Sequence, residues 1–224
     1  VGNCVMPKEG IFVRVVDRRT SGQADKRASG SLTPDTTLLY QPKIFSTRII
    51  TLSDRAFCGE YEDKSGPRIA ELLGSHYTRH ETQGMSHEQQ GTSYSTSHVS
   101  RLTSHMTLLP DDPQQLRAAL SEAITAETDF IFTTGGTGIG PRDFTPDVVK
   151  PMLDKEIPGI MELIRTKYGT EKHQALLSRS IAGIAANSLI FTLPGSVKAV
   201  NEYLEEILKS LMHMVWMLHG LDMH

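Results

Sequence analysis

The chain has 224 residues, of which 38% are hydrophobic and 22% are charged, and its formal net charge is −3. This composition is that of a globular protein long enough for one α/β domain and an appendage, and it lacks the strongly basic balance of nucleic-acid-binding proteins. The two cysteines, Cys4 and Cys58, lie far apart and outside any CxxC pattern, which argues against a disulfide framework or a structural zinc site. No apolar run is long enough to span a bilayer, and no secretory segment opens the chain. We therefore expect a cytoplasmic protein with no nucleic-acid or membrane partner.

The first 43 residues differ in character from the rest of the chain. A short strand-like run, IFVRVV, occupies 11–16, and 17–37 are crowded with Arg, Ser, Gly, Thr and Asp. Such a stretch cannot bury much apolar surface, so we expect this N-terminal extension to be partly disordered. Because the first residue is Val1, we read the chain as a portion of a longer protein.

Regular patterning predicts a single domain over 44–224. The residue pattern predicts strands at 48–53, 98–109, 129–134 and 188–193, and the β-branched run 48–53 is expected to be buried. Apolar spacing near 3.6 residues and terminal Pro or Gly residues predict helices at 65–74, from Pro110 to Ile124, and at 145–153, 157–168 and 196–218. The polar residues 78–98 predict a loop insertion. Strands that alternate with helices imply a three-layer αβα fold with a mostly parallel central sheet.

Two helix ends carry specific predictions. Gly74 is expected just past the end of the first helix. Thr145 is expected to cap the helix 145–153, with Pro146 at its first position.

Unusual segments follow each of the four predicted strands. They begin with SDRA at Ser53, PDD at Pro110, GGTGIGPRD at Gly135 and PGS at Pro194. In open α/β sheets ligands bind beyond the carboxyl ends of the strands. We therefore expect these four segments to meet at one edge of the sheet and form a site.

The glycine-rich turn after 129–134 carries the strongest signal. Glycines let the backbone approach an anion closely, and hydroxyl and guanidinium groups add hydrogen bonds and charge. Thr134, Gly135, Gly136, Thr137 and Gly138 thus predict a phosphate or pyrophosphate cradle, with Arg142 nearby. The pattern is neither a Walker loop nor GxGxxG opening a helix. A plain tight strand-to-helix turn is the alternative.

Asp111 and Asp143 are the candidate metal ligands. Phosphoryl chemistry on ATP usually needs Mg²⁺ held by one or two carboxylates and by the phosphates of the substrate. Both aspartates lie on loops of the predicted edge. Each also has an alternative role as a helix cap, Asp111 before the helix that starts near Pro110 and Asp143 before the helix at Thr145.

Four further groups leave two interpretations open. Asp54 and Arg55 could contact a ligand or close a turn, and Ser65 with Gly66 could form an anion site at a helix N-terminus or a routine cap. The segment LLSRS (176–180) suits an anionic group or a surface turn with a salt bridge. The histidines show no metal-ligand spacing, which disfavours a histidine metal site; they include His76, His80, His87, His98 and His105.

Seven motifs occur together in the order seen in a known family. They are TLSDRA (51–56), DKSGPR (63–68), LPDD (109–112), TTGGTGIGPRDFTPD (133–147), IPGI (157–160), LSRSIAGI (177–184) and LPGSVKAV (193–200). From about Arg48 to its C-terminus the chain resembles the MogA family and the gephyrin G domain. The related MoeA-type molybdenum-insertion enzymes share the fold, but SDRA, SGPR and GPRDFTPD resemble the adenylylating branch.

The resemblance implies a function. Such proteins are molybdopterin adenylyltransferases, which use ATP and Mg²⁺ to form adenylyl-molybdopterin and release pyrophosphate, and which typically assemble as trimers. It implies catalytic roles for Asp111 and Asp143, a phosphate-binding role for residues 134–138, and ligand-proximal positions for Ser178, Pro194 and Gly195. It also implies a molybdenum-insertion enzyme as a partner. A non-catalytic molybdopterin-binding or scaffold module is the alternative.

The segments CVMPKEGIFVRVVD and PDTTLLYQPKIF within 1–43 resemble the end of a MOSC domain. They are far too short for a whole one. A remnant of a fusion between proteins of the same pathway is the interpretation we adopt, and it predicts no sulfur chemistry.

Overall fold

A computed structural model describes residues 45–83 and 102–219. The predictions for 1–43 and for 84–98 lie outside these residues. The strands are β1 (Phe45–Leu52), β2 (Leu102–Leu109), β3 (Phe130–Thr134), β4 (Lys155–Glu156), β5 (Ala182–Ala185) and β6 (Ser188–Leu193). The helices are α1 (Asp54–Phe57), α2 (Ser65–Gln83), α3 (Pro113–Thr125), α4 (Thr145–Val149), α5 (Pro158–Gly169) and α6 (Val197–Leu218). Two short 3₁₀ turns cover Lys150–Met152 and His173–Leu177.

The six strands form one sheet in the order β2-β1-β3-β6-β5-β4. The four strands β2, β1, β3 and β6 are parallel, whereas β5 runs antiparallel to β6 and β4 antiparallel to β5. The mostly parallel sheet is thus confirmed, and its four parallel strands are the four that the sequence predicts. The prediction did not include β4 or β5, because a two-residue strand and the small residues AGIA carry no readable alternation.

Helices cover both faces of the sheet. On one face, α2, α5 and α6 bury a core around Phe132 and Phe191, whose rings stack with centroids 5.1 Å apart. On the other face, α3 and α4 pack against Ile50, Ile131 and Ile190. The three-layer αβα architecture is therefore confirmed, and α6 begins within one residue of its predicted start.

Helix α2 is longer than the sequence predicts. Gly74 lies inside the helix, which continues to Gln83, so the predicted polar loop 78–98 begins with helical residues. The buried face of the helix repeats every four residues at Ile69, Leu73 and Tyr77. The ring of Tyr77 lies 5.5 Å from that of Phe45, and this packing outweighs the local tendency of glycine to end a helix.

A buried carboxylate joins α5 to α6. Only 5% of the Glu206 side chain is exposed, and it accepts hydrogen bonds from the Lys167 and Lys209 ammonium groups at 2.6 and 2.8 Å. These two hydrogen bonds lower the pKa of Glu206. A lowered pKa means that the ion pairs stabilise the fold above the ordinary glutamate pKa, and that this stabilisation is lost as the pH falls through the lowered value.

We expect Glu206→Gln to reduce the free energy of unfolding at pH 7 by about 1–2 kcal/mol, because two charge-assisted hydrogen bonds lose their anion. Urea unfolding followed by circular dichroism measures the change, and the difference should shrink in acid. Glu205→Gln is the matched control, since Glu205 binds the same Lys167 but is 58% exposed. Equal losses for the two variants, or a loss for Glu206→Gln that does not change with pH, would contradict this interpretation.

Candidate functional site

The four predicted turns meet at one edge of the sheet. The register aligns the last residues of the parallel strands, with Leu52 opposite Leu109 and Thr134 opposite Leu193. The backbone joins the turns directly, because Ser53 N–H donates to Leu109 O and Gly135 N–H donates to Leu193 O, both at 3.0 Å. Residues far apart in the sequence therefore surround one region.

The glycine-rich turn depends on two residues with positive φ. Gly135 has φ 102° and Gly136 has φ 63°, which L-residues with side chains rarely adopt. A Cβ at Gly135 would collide with the carbonyl oxygen of Leu52, and one at Gly136 would lie 2.6 Å from Thr145 Oγ1. The turn therefore packs against β1 and α4 so closely that only glycine fits.

Two threonine hydroxyls hold this turn through hydrogen bonds to backbone carbonyl groups. The buried Thr134 hydroxyl donates to Pro194 O at 2.9 Å, and the Thr145 hydroxyl donates to Gly135 O at 2.8 Å. The prediction that Thr145 caps α4 is wrong: Phe144 takes the N-cap position without a side-chain bond. The structure thus gives the Thr134 hydroxyl a structural partner, and Thr137 and Gly138 remain the predicted loop residues that line a cavity with Gly136.

Asp111 and Asp143 line one cavity of about 280 Å³, together with Ser53, Gly136 and Arg142. Burial and then the negative charge of Asp54 raise the pKa of Asp111, and Asp143 adds to the rise. Asp143 Oδ2 accepts the Gly140 N–H at 2.8 Å. The structure thus brings the two predicted acids together in a small polar cavity.

Neither Asp111 nor Asp143 caps a helix, which was the alternative role of each. The cap of α3 is Asp112, whose Oδ1 accepts the Gln114 and Gln115 N–H groups at 2.7 and 3.2 Å. Asp143 bonds within its own loop and does not cap α4. Both carboxylates are therefore available to the cavity.

Asp54 supports the acids from the adjacent turn. Its Oδ1 accepts the Asp111 N–H at 2.8 Å, and its Oδ2 lies 3.5 Å from Arg142 Nη1. Asp54 is thus placed to fix the Asp111 loop, whereas a direct ligand contact by Asp54 stays a prediction.

A second cavity of about 390 Å³ adjoins the first and shares Gly136 and Asp143 with it. The sequence predicted part of its lining, namely Thr137, Gly138, Ser178, Pro194 and Gly195. The rest comes from α5, the segment with the 3₁₀ turn after it, and the start of α6; the charged and aromatic members of this part are Tyr168, Lys172, Lys198, Glu202 and Tyr203. Lys172 forms an ion pair with Glu202, and Tyr203 donates to Ser178 Oγ at 2.8 Å.

The segment 176–180 holds the glycine-rich loop. Arg179 donates through Nη1 to both carboxylate oxygens of Asp147, through Nε to Gly138 O at 2.8 Å, and through Nη2 to Asp143 O. Its N–H also donates to Thr137 O. Arg179 thus forms the salt bridge that was one of the two interpretations of this segment, and it also holds the loop 137–143 through its backbone carbonyl groups. Binding of an anionic group by the segment stays a prediction.

Ser65 and Gly66 lie outside both cavities. The Asp63 carboxylate accepts their N–H groups at 2.9 and 3.2 Å and also accepts the Thr51 hydroxyl. The Asp63 carboxylate thus accepts the N–H groups at the start of α2 that an external anion would otherwise bind, as in an ordinary helix cap. Phosphate binding by Ser65 and Gly66 stays a prediction.

Within 45–83 and 102–219 there is no group of three or more His, Cys, Asp or Glu placed to hold a metal ion. No helix in the same part of the chain is long and apolar enough to cross a membrane.

Comparison with known proteins agrees with this geometry. The family model described as "Probable molybdopterin binding domain" matches residues 98–213. The molybdopterin adenylyltransferase of Pyrococcus furiosus is 36% identical over 182 residues, which cover 78% of this chain and 91% of that protein. Gephyrin of Dictyostelium discoideum is 33% identical over 77% of this chain, which spans only 22% of gephyrin. The crystal structure of the tungsten cofactor synthesizing protein MoaB from Pyrococcus furiosus superimposes with a TM-score of 0.63 at 34% identity, covering 81% of this chain and all of that one.

The fold defines a three-layer α/β protein with two adjoining cavities at the carboxyl edge of its mostly parallel sheet. The chain belongs to the molybdopterin-binding family of molybdenum cofactor biosynthesis proteins. The resemblance seen in the sequence motifs is thereby confirmed.

Proposed function

We propose that this protein is a molybdopterin adenylyltransferase, which transfers AMP from ATP to the terminal phosphate of molybdopterin. The observation that carries the proposal is the pair of adjoining cavities that share Gly136 and Asp143. A reaction between two anionic substrates needs two binding spaces that meet at the reacting phosphates. The similarity to an adenylyltransferase over most of both chains supports the same activity.

The smaller cavity suits Mg²⁺ and the phosphates of ATP. Asp111 and Asp143 offer hard carboxylate oxygens, and two carboxylates plus substrate phosphates are the ligand set that Mg²⁺ favours. Burial, and then the negative charges of Asp54 and Asp143, raise the pKa of Asp111, and a bound cation would favour its ionised form. Bound there, Mg²⁺ would neutralise charge on the transferring phosphates.

The larger cavity suits molybdopterin. Tyr168 presents aromatic surface for a planar ring system, and positive charge for the phosphate comes from Lys198 and from Lys172, which pairs with Glu202. Tyr203 fixes Ser178, which lines this cavity. The cavity therefore combines the aromatic and cationic groups that a phosphorylated pterin requires.

In the reaction, an oxygen of the molybdopterin phosphate attacks the α-phosphorus of ATP. The new phosphorus–oxygen bond forms as the bond from the α-phosphorus to the β-bridging oxygen breaks, and pyrophosphate leaves. The loop 135–138 is fixed by Thr134, Thr145 and Arg179, and the backbone N–H groups of 136–138 position the phosphates, since the Gly135 N–H already donates to Leu193 O. Positioning and electrostatics therefore supply the rate enhancement, and no covalent intermediate on the protein is needed.

Incubating the protein with molybdopterin and Mg-ATP tests this proposal. We expect adenylyl-molybdopterin and pyrophosphate in equal amounts by mass spectrometry and a coupled pyrophosphate assay, and no product when EDTA is added. Molybdopterin that binds but stays unmodified would instead support the non-catalytic module. ATP binding without pterin binding would point to a generic nucleotide-binding protein.

We also propose that the protein works as a cytoplasmic homotrimer that passes its product to a molybdenum-insertion enzyme. These three points rest on the family resemblance. Light scattering coupled to size exclusion should give three times the mass of the chain, and a monomer mass would contradict the trimer.

A further inference from the structure

An exposed tyrosine lies beside the smaller cavity, on the turn that follows β1. Ser53 lines this cavity, and its hydroxyl forms a 2.7 Å hydrogen bond with the hydroxyl of Tyr61. Tyr61 is nevertheless 45% exposed. The polar end of the ring is thus anchored at the wall of the cavity while much of the ring faces solvent.

A guanidinium group is placed against the same ring. The Arg55 guanidinium carbon lies 5.0 Å from the centroid of the Tyr61 ring, a cation–π geometry. Arg55 also lies 3.4 Å from the Glu60 carboxylate, and the Glu60 N–H donates to Arg55 O at 2.9 Å. Arg55 therefore lies over one face of the Tyr61 ring, and we call this stacked pair of groups the Tyr61 platform.

The turn that carries the platform is itself well ordered. Ser53 caps α1 by accepting the Ala56 N–H at 3.2 Å, and Gly59 adopts φ 76° to reverse the chain. Because the ring is held in place at little further entropic cost, it can add affinity for a ligand that stacks on it. A tyrosine that served only to brace the turn would gain more by burying its ring.

We propose that the Tyr61 platform stacks the base of the nucleotide whose phosphates occupy the smaller cavity. This proposal rests on the proposed function, which supplies ATP as the nucleotide. Nucleobases stack on aromatic rings and on arginine planes, and the platform offers both next to the acid-lined phosphate cavity. Tyr61 and Arg55 are then the residues that favour a purine nucleotide over a bare polyphosphate.

Calorimetric titrations with Mg-ATP and with Mg-tripolyphosphate test the platform, because tripolyphosphate has no base. For Tyr61→Ala we expect Mg-ATP to bind roughly 10- to 100-fold more weakly, and Mg-tripolyphosphate to bind within about twofold of wild type. Tyr61→Phe keeps the ring and should lose much less affinity. Phe57→Ala is the matched control, since Phe57 is 54% exposed on the same turn and does not line the cavity.

Two outcomes would overturn the platform while the proposed function stands. One is an unchanged affinity of Tyr61→Ala for Mg-ATP. The other is an equal loss for both ligands, which would mean that Tyr61 merely supports Ser53 and the phosphate cavity. Wild-type protein that binds no Mg-ATP would remove the proposed function itself, and the platform with it.

Discussion

Replacing Asp143 or Asp111 by asparagine is expected to lower the rate of AMP transfer by about 100- to 1000-fold or more, without unfolding the protein. Each variant keeps the shape of the side chain but removes a negative charge from the cavity that would hold Mg²⁺. Formation of adenylyl-molybdopterin under saturating substrates measures the loss.

Asp112 provides the matched control for Asp111. It is the next residue along the chain, yet it caps α3. Asparagine caps helices as well as aspartate does, so Asp112→Asn should stay within about twofold of wild-type activity. Near-normal AMP transfer by both Asp111→Asn and Asp143→Asn, or an equal loss in Asp112→Asn, would refute the assignment of the acid pair.

The stability of Asp111→Asn to urea should distinguish a chemical role of Asp111 from a role in folding. Burial and the charges of Asp54 and Asp143 raise the pKa of Asp111. A carboxyl with a raised pKa favours the fold at low pH, and this contribution is lost as the pH rises through the raised value. In metal-free buffer at pH 7, Asp111→Asn should therefore unfold at the same or a slightly higher urea concentration than wild type. A clear loss of stability would indicate that Asp111 is needed for folding.

The second large effect is expected at Gly135. In Gly135→Ala the new Cβ would collide with the carbonyl oxygen of Leu52, and the residue would keep its positive φ. We expect unfolding to become easier by about 2–4 kcal/mol, because neither β1 nor the turn can move freely. The remaining folded protein should transfer AMP slowly, since the clash displaces the loop 135–138. Urea unfolding and the product assay on the folded fraction measure the two effects.

Two other glycines distinguish the two causes of this loss of stability, which are the positive φ and the clash of the new Cβ. Gly59 also has a positive φ, 76°, but a Cβ there meets nothing within 4 Å, so Gly59→Ala should lose only about 1–2 kcal/mol. Gly74 lies within α2, where a Cβ would meet nothing within 4 Å, so Gly74→Ala should raise the free energy of unfolding by up to about 1 kcal/mol. If Gly135→Ala were no less stable than Gly59→Ala, the tight packing of the turn against β1 would be disproved.

The sequence predicted the features that depend on strand ends. Strand-like runs marked β1, β2, β3 and β6, and the parallel connections place the segments after them at one edge. The acid pair and the glycine-rich loop followed, because each lies directly after one of these strands. For these residues the sequence motif and the position after a strand lead to the same prediction.

Features set by tertiary contacts could not be predicted in this way. The role of Arg179 depends on a loop about 40 residues earlier in the chain, which only the fold brings near. The lysines and tyrosines of the larger cavity lie on or next to helices, so a search of strand ends missed them. Signals for two corrections were present: Asp112 is followed by Pro113, the usual pair at a helix start, and Tyr77 follows Leu73 at helical spacing.

The fate of isotopic label gives the most direct test of the central claim. With molybdopterin and Mg²⁺ present, label from [α-³²P]ATP should move into the pterin product, whereas label from [γ-³²P]ATP should appear only in pyrophosphate. Transfer of the γ-label to the pterin, or no transfer of either label by folded protein, would contradict an adenylyl transfer at this edge of the sheet.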